Sequence, residues 1–347
     1  MWASPWLPVL ALFSVGRDLH KIPNYWTGKV ASDERVIFFP SAANKLNSTH
    51  WQVPIHGWIF EPEVDSKKRK AFIRILGTFF RVKNKEEKII LNQRAMPFAV
   101  DNQSMKYVNI KIGDDVYRMP RSGKDGHFRT NLEIHESQLQ SKDGIVTFQA
   151  IDNRRIFSGT IHLVPPTGVS VVSDIDDTIK ITNYLDKKEF YKNTFIREFE
   201  PVPGMVEHFH QCKTQYENCC FHYVSASPYQ LFEELDSFFQ SIGFPPATYH
   251  LKKIRVKDKS VLQLLADPKN YKLRQIEPLF KRFPDRKFIL VGDSGEKDPE
   301  VYTELFQKYP SQIEHVWIRN VNNATKYRMH GINPDRWKFF SEGADLR

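Results

Sequence analysis

Val169-Ser170-Val171-Val172-Ser173-Asp174-Ile175-Asp176-Asp177-Thr178 joins an apolar, β-branched run to three carboxylates and a hydroxyl. The run reads as a buried strand. Three carboxylates at the end of such a strand repel one another and resist desolvation. A fold tolerates them there when a cation is at hand, most simply Mg²⁺.

Downstream of Gly168, apolar strands alternate with helical segments. Phe221 to Val224, Phe288 to Val291 and His315 to Ile318 lack polar alternation, as expected of strands covered on both faces. Ser227, Pro228 and Gln230 read as a capping box with Pro at the first helical position. Leu231, Leu235 and Phe238 then line one face, and Gly243 stops that helix. Ile276, Leu279 and Phe280 repeat the helical spacing. The alternation predicts a parallel sheet flanked by helices, with ligands bound beyond the carboxyl ends of its strands.

Upstream, Val36 to Phe39, Trp51 to Phe60, Ala71 to Ile75, Tyr107 to Ile112, Ile145 to Ile151 and Ile156 to Leu163 read as strands rich in aromatic and β-branched residues. Turns fall at Asp125-Gly126 and Asp143-Gly144. A β-rich, sandwich-like domain over residues 24–165 is the simplest architecture. Pro165-Pro166-Thr167-Gly168 reads as a linker, and residues 166–347 as an α/β domain. Residues 1–23 form an N-terminal extension or a signal: Trp6 to Val15 is a short apolar run, but no basic segment precedes it.

The chain has 347 residues, 41% of them apolar and 26% charged, and a net charge of +9. That balance favours acidic partners such as phosphorylated substrates or anionic membrane surfaces. Nucleic acid is not the expected partner. Cys212, Cys219 and Cys220 suggest neither a disulfide framework nor a zinc site. His208 and His210 read as structural, being two residues apart.

Four polar clusters end or follow the α/β elements: Asp174-Ile175-Asp176-Asp177-Thr178, Ser225-Ala226-Ser227, Lys272, and Gly292-Asp293-Ser294-Gly295-Glu296-Lys297-Asp298. Together they suit phosphoryl transfer. A carboxylate attacks phosphorus, a cation shields like charges, a hydroxyl and an ammonium hold the phosphate oxygens, and a second carboxyl group handles protons. Each piece alone has a plainer reading: an aspartate after a strand is usually a helix cap, and Glu296 to Glu300 suits a solvated first helical turn. Their joint order favours the shared site.

These clusters resemble the four motifs of the haloacid dehalogenase superfamily of phosphohydrolases. More narrowly, Asp174 to Lys180, Phe221 to Pro228 and Gly292 to Glu300 resemble the catalytic domain of actin-patch-protein type phosphatidate phosphatases, as do Asn193-Thr194-Phe195, Pro203-Gly204-Met205 and Lys257-Asp258-Lys259-Ser260. The resemblance covers about residues 168 to 321. It implies a Rossmann-like fold, Mg²⁺ as cofactor and phosphatidate as substrate. It implies Asp174 as nucleophile and metal ligand, and Asp176 as acid/base with its carbonyl on the metal. Asp293 is implied as the further ligand, Ser225 and Lys272 as phosphate binders, and Thr178 and Asp298 in support. Lys257 and Lys259 are alternatives to Lys272.

Residues 180 to 220 are too few for a large lid, which suits a bulky or membrane-held substrate. Lys67, Lys68, Arg69 and Lys70 form a run that would meet an anionic bilayer or solvate a turn. Two other readings stay open: a phosphatase for soluble esters or phosphoproteins, and a non-enzymatic membrane- or protein-binding module. The expected location is peripheral membrane or cytoplasmic, with secretion if residues 1–16 are a signal.

Overall fold

The computed structural model describes residues 28–62, 66–152, 155–254, 268–323 and 326–346. The N-terminal segment and the Lys257 to Ser260 motif lie outside them. The described residues form two compact units, residues 28–81 with 95–164, and residues 82–94 with 165–254 and 268–346.

The first unit is built on a nine-stranded mixed sheet. Its strands are β1 (Arg35–Phe38), β2 (Ser41–Lys45), β3 (His50–Glu61), β4 (Asp101–Asn102), β5 (Asn109–Ile112), β6 (Asp115–Arg118), β7 (His127–His135), β8 (Ile145–Asp152) and β9 (Arg155–Val164). Neighbours pair antiparallel except β2 with β9. One side chain shows how the sheet bends around its core. Phe38 meets Phe128 of β7 at 6.0 Å and Phe148 of β8 at 4.9 Å, both edge-on. The Asp143-Gly144 turn is a two-residue hairpin: both residues have positive φ, 53° and 75°, and Lys142 and Ile145 exchange both backbone hydrogen bonds. Asp-Gly tolerates that twist where other pairs do not.

One expected strand is a helix. Ala71 to Ile75 lies inside α1 (Lys67–Phe80), which ends on Arg81 in the left-handed region. Phe72, Leu76 and Phe80 are buried at four-residue spacing. That period, rather than β-propensity, decides the element. The basic run at Lys67 therefore opens a helix, and Arg69 turns inward, only 2% exposed.

The second unit carries a six-stranded sheet of β10 (Val169–Ser173), β13 (Cys220–Pro228), β14 (Ala247–Lys252), β15 (Lys287–Asp293), β16 (Ile313–Arg319) and β17 (Trp337–Phe340). The short β11 (Lys180–Ile181) and β12 (Glu200–Pro201) pair separately. All five pairings of the large sheet are parallel, in the order β14-β13-β10-β15-β16-β17. Every residue of β10 is buried. The helices are α2 (Lys85–Ala95), α3 (Lys187–Phe195), α4 (Met205–Gln215), α5 (Phe232–Ile242), α6 (Pro268–Arg282) and α7 (Asp298–Lys308). The chain runs outward from β10 to β14, then crosses back to β15 on the other side of β10. Beyond the carboxyl end of β10 the connections diverge, and ligands of parallel sheets bind in such crevices.

The expected linker is held along its length. The fully buried Arg286 guanidinium donates to the carbonyls of Pro165, Thr167, Val169 and Asn218 and to Ser170 Oγ. α5 ends as expected on Gly243, at φ 87°. Its start differs. β13 continues through Pro228, a 3-10 turn covers Tyr229–Leu231, and α5 begins at Phe232. Ser227 is not a cap, because its hydroxyl is engaged elsewhere. Among the described residues, no helix is long and apolar enough to cross a membrane.

Candidate active site

Asp174 follows β10 directly, Ser225 and Ser227 lie near the carboxyl end of β13, and Asp293 ends β15. Parallel pairing brings the ends of these three strands together. α6 delivers Lys272 and α7 opens with Asp298. All seven expected site residues are buried.

Two carboxylate networks divide the site. The first surrounds Lys272, which is 0% exposed. Its Nζ lies 3.2 Å from Asp174 Oδ1 and 2.9 Å from Glu296 Oε2, and it donates to Asp298 Oδ1. Asp298 Oδ2 accepts from the Asp293 amide at 3.1 Å. Gly292 lets Asp298 come this close: a Cβ there would sit 2.4 Å from Asp298 Oδ2. Three carboxylates thus gather around one ammonium, and the Asp293 amide is tied to them through Asp298. Burial pushes the Asp174 carboxyl well above its usual range, against the pull of Lys272, and Asp298, Glu296 and Asp293 push it the same way. Asp293 is raised for the same reasons, burial first, then Asp298 and Glu296. Burial disfavours a charged Lys272, but Asp174, Asp298 and Glu296 outweigh it and raise the ammonium.

The second network surrounds Asp176. Lys180 Nζ lies 2.7 Å from its Oδ1, and Thr182 Oγ1 donates to that oxygen at 2.8 Å. Ser225 and Ser227 donate to Oδ2 at 3.2 and 2.7 Å. Burial disfavours the charge, but Lys180 and the hydrogen bonds from Lys180, Ser227 and Thr182 hold this carboxyl down at about 2. Asp177, in the left-handed region at φ 54°, belongs to neither network. Its carboxylate accepts from the amides of Thr182, Asn183 and Tyr184 and shapes the next loop.

A divalent cation fits the first network. Carboxylate oxygens of Asp174, Asp293 and Glu296 all lie within 4.8 Å of one another. Asp293 Oδ1 accepts from the amides of Gly295 and Glu296, while the buried Oδ2 has no hydrogen-bond partner. An orphaned, desolvated carboxylate oxygen among like charges suits a hard cation with oxygen ligands. Arg328 braces the loop that carries Asp293 and Glu296. It donates to the carbonyls of Ser294 and Glu296 and forms a two-pronged pair with Glu300 at 2.9 and 2.8 Å.

Thr178 Oγ1 stands 3.4 Å from Asp174 Oδ2, a long contact. Three contributors escape a reading of the sequence. Ser227 has the pattern of a helix cap. Glu296 has the pattern of a solvated helical turn. Lys180 stands four residues after Asp176 within the motif, and that spacing was the available signal.

Carboxylates and a buried lysine thus meet beyond the carboxyl ends of a parallel sheet, where such folds bind ligands. Residues 169–320 match the family described as "Phosphatidate phosphatase APP1, catalytic domain", so this stretch carries the sequence of an APP1-type catalytic domain. The chain is 36% identical over 165 residues to phosphatidate phosphatase APP1 of Saccharomyces cerevisiae, covering 47% of this chain and 28% of that protein. It is 27% identical over 172 residues to an uncharacterized protein of Schizosaccharomyces pombe, covering 48% and 27%. The chain thus spans less than a third of the length of either curated relative.

Proposed function

We propose that the α/β unit is a Mg²⁺-dependent phosphatidate phosphatase of the haloacid dehalogenase type, with a Rossmann-like fold over residues 166–347. The observation that carries this reading is the surplus of buried carboxylates around Lys272, with Asp293 Oδ2 left unpaired. The similarity to the yeast enzyme supports the choice of substrate.

In this reading Asp174 attacks the phosphorus, and the bond to the glycerol oxygen breaks. Asp176, which takes up a proton from solvent when the substrate binds, gives that proton to the leaving oxygen. It then takes a proton from the water that attacks the aspartyl-phosphate, releasing phosphate and regenerating Asp174. The ionised Asp176 of the resting site is set for the second half. An arriving phosphate draws the hydroxyls of Ser225 and Ser227 and brings negative charge close, and both changes raise the Asp176 pKa toward that of a working acid. Lys272 and Ser225 hold the transferred group. Mg²⁺, held by Asp174, Asp293 and the Asp176 carbonyl with Glu296 beside them, would shield the nucleophile from the phosphate charge. Thr178 and Asp298 orient Asp174 and Lys272.

The strand-rich residues 24–165 form a sandwich-like domain in this reading, and the protein works as a peripheral membrane or cytoplasmic enzyme. A substrate panel tests the assignment. Phosphatidate in detergent should be hydrolysed in preference to sugar, nucleotide and peptide phosphates. Preference for any of those would move the substrate to a soluble ester, and no turnover at all would leave a binding module.

A further inference from the structure

The loop between the first motif and α3 presents an apolar side chain to solvent. Leu185 is 57% exposed, yet the loop beneath it is fixed. Asp177 accepts from the amides of Asn183 and Tyr184, Asn193 Nδ2 donates to Thr182 O, and the Asp186 amide donates to Asn183 O. Such a loop holds the leucine in water, where its surface is unfavourable. The place is also particular. A Cβ on Gly295 would lie 2.9 Å from Asp293 Oδ1, 3.0 Å from Val321 Cγ2 and 3.5 Å from Leu185 Cγ. Leu185 therefore stands beside the metal-ligand loop. Next to it, the Tyr184 ring packs edge-on against Phe190 at 5.5 Å.

A second observation is electrostatic. Asp186 caps α3, accepting from the amides of Lys188 and Glu189. The two residues that follow the cap are lysines, Lys187 and Lys188, both exposed. Cations at a helix N-terminus oppose the macrodipole. Helix stability thus argues against these lysines, and an anionic surface argues for them.

We propose that residues 183–188 form a lip by which the site engages an anionic lipid bilayer. Leu185 enters the acyl boundary, and Lys187 and Lys188 meet the phosphates of neighbouring headgroups. A membrane-held phosphate ester would then reach Asp174 without leaving its layer. This rests on the phosphatidate reading for its purpose but not for its binding test.

The test uses the full chain with Leu185→Glu, Leu185→Met and the pair Lys187→Ser/Lys188→Ser. Binding to phosphatidylcholine vesicles with and without phosphatidylserine is measured by co-sedimentation, alongside turnover of vesicle phosphatidate and of a monomeric short-chain phosphatidate. Burial of one leucine side chain is equivalent to roughly tenfold or more in affinity, and each lysine near an anionic surface to about fivefold. Leu185→Glu should cut vesicle binding and the ratio of vesicle to monomer turnover by about tenfold or more. Leu185→Met should keep both, and the lysine pair should lose only the phosphatidylserine-dependent part. Binding and ratio within twofold of wild type in Leu185→Glu and in the lysine pair would overturn the proposal. If the wild type hydrolyses neither phosphatidate, the functional reading fails, and vesicle binding still decides the lip.

Discussion

Replacing Lys272 with methionine should expose the electrostatic construction of the site most plainly. Its ammonium stands within ion-pair distance of Asp174, Glu296 and Asp298, each 7% exposed or less. Methionine fills similar space but leaves the carboxylates uncompensated. Breaking a buried ion pair by removing one partner costs about 3–5 kcal/mol. A domain of this size shifts its Tm by about 2–4 °C per kcal/mol, so the α/β unit should melt roughly 6–20 °C lower in EDTA. The loss must depend on pH. A carboxyl whose folded pKa exceeds its unfolded value binds more protons when folded, so its stability contribution falls as pH rises. Asp174 and Asp293 are already raised, chiefly by burial, and losing Lys272 raises them further. The deficit should therefore be largest at pH 8 and shrink toward pH 5. Added Mg²⁺ should restore part of it by supplying the missing positive charge. Scanning calorimetry of both proteins, at the two pH values with and without Mg²⁺, reads all of this. A Tm within 1 °C of wild type in EDTA at pH 8 would refute the picture of carboxylates sharing one cation.

Three other outcomes follow from the same geometry. Asp293→Asn should abolish the thermal shift that Mg²⁺ gives the wild type, a shift equivalent to about 2.7 kcal/mol at a hundredfold excess over Kd; an unchanged shift would remove Asp293 from the metal site. Arg328→Ala releases the carbonyls of Ser294 and Glu296 and should weaken Mg²⁺ binding by about 10–100-fold, as loss of a partner behind the ligands does elsewhere; titration calorimetry would show it. Gly292→Ala puts a methyl group where Asp298 Oδ2 stands, at 2.4 Å, so it should cost about 1–3 kcal/mol by overpacking and disturb Lys272; wild-type melting and turnover would contradict the close approach.

The α/β unit was legible because a strand buried on both faces has nowhere to show polar alternation. Val169 to Ser173, Phe288 to Val291 and His315 to Ile318 all read correctly for that reason. The mixed sheet was harder. Ser41–Lys45 has no apolar signature of its own; pairing with β3 and β9 places it inside the sheet, where its two alanines are buried. His127–His135 was missed because polar residues occupy much of the strand and only part of it is buried. At the site, the motif aspartates stood out as carboxylates with no local reason to gather. Ser227 and Glu296 were obscured because a local pattern, cap or first turn, accounts for them equally well. Only the long-range contacts to Asp176 and Lys272 distinguish the two readings. Lys272 shows the converse, a lysine without a motif around it whose role becomes visible when α6 places it beside Asp174.

In the proposed mechanism Asp174 carries the phosphoryl group from phosphatidate. Acid quenching of the enzyme during turnover of phosphatidate labelled in its phosphate, followed by peptide mapping, measures this directly. Mg²⁺-dependent label is expected on the peptide containing Asp174, and neither label nor phosphate release in Asp174→Asn. Undiminished phosphate release by Asp174→Asn, or label on another residue, would contradict it.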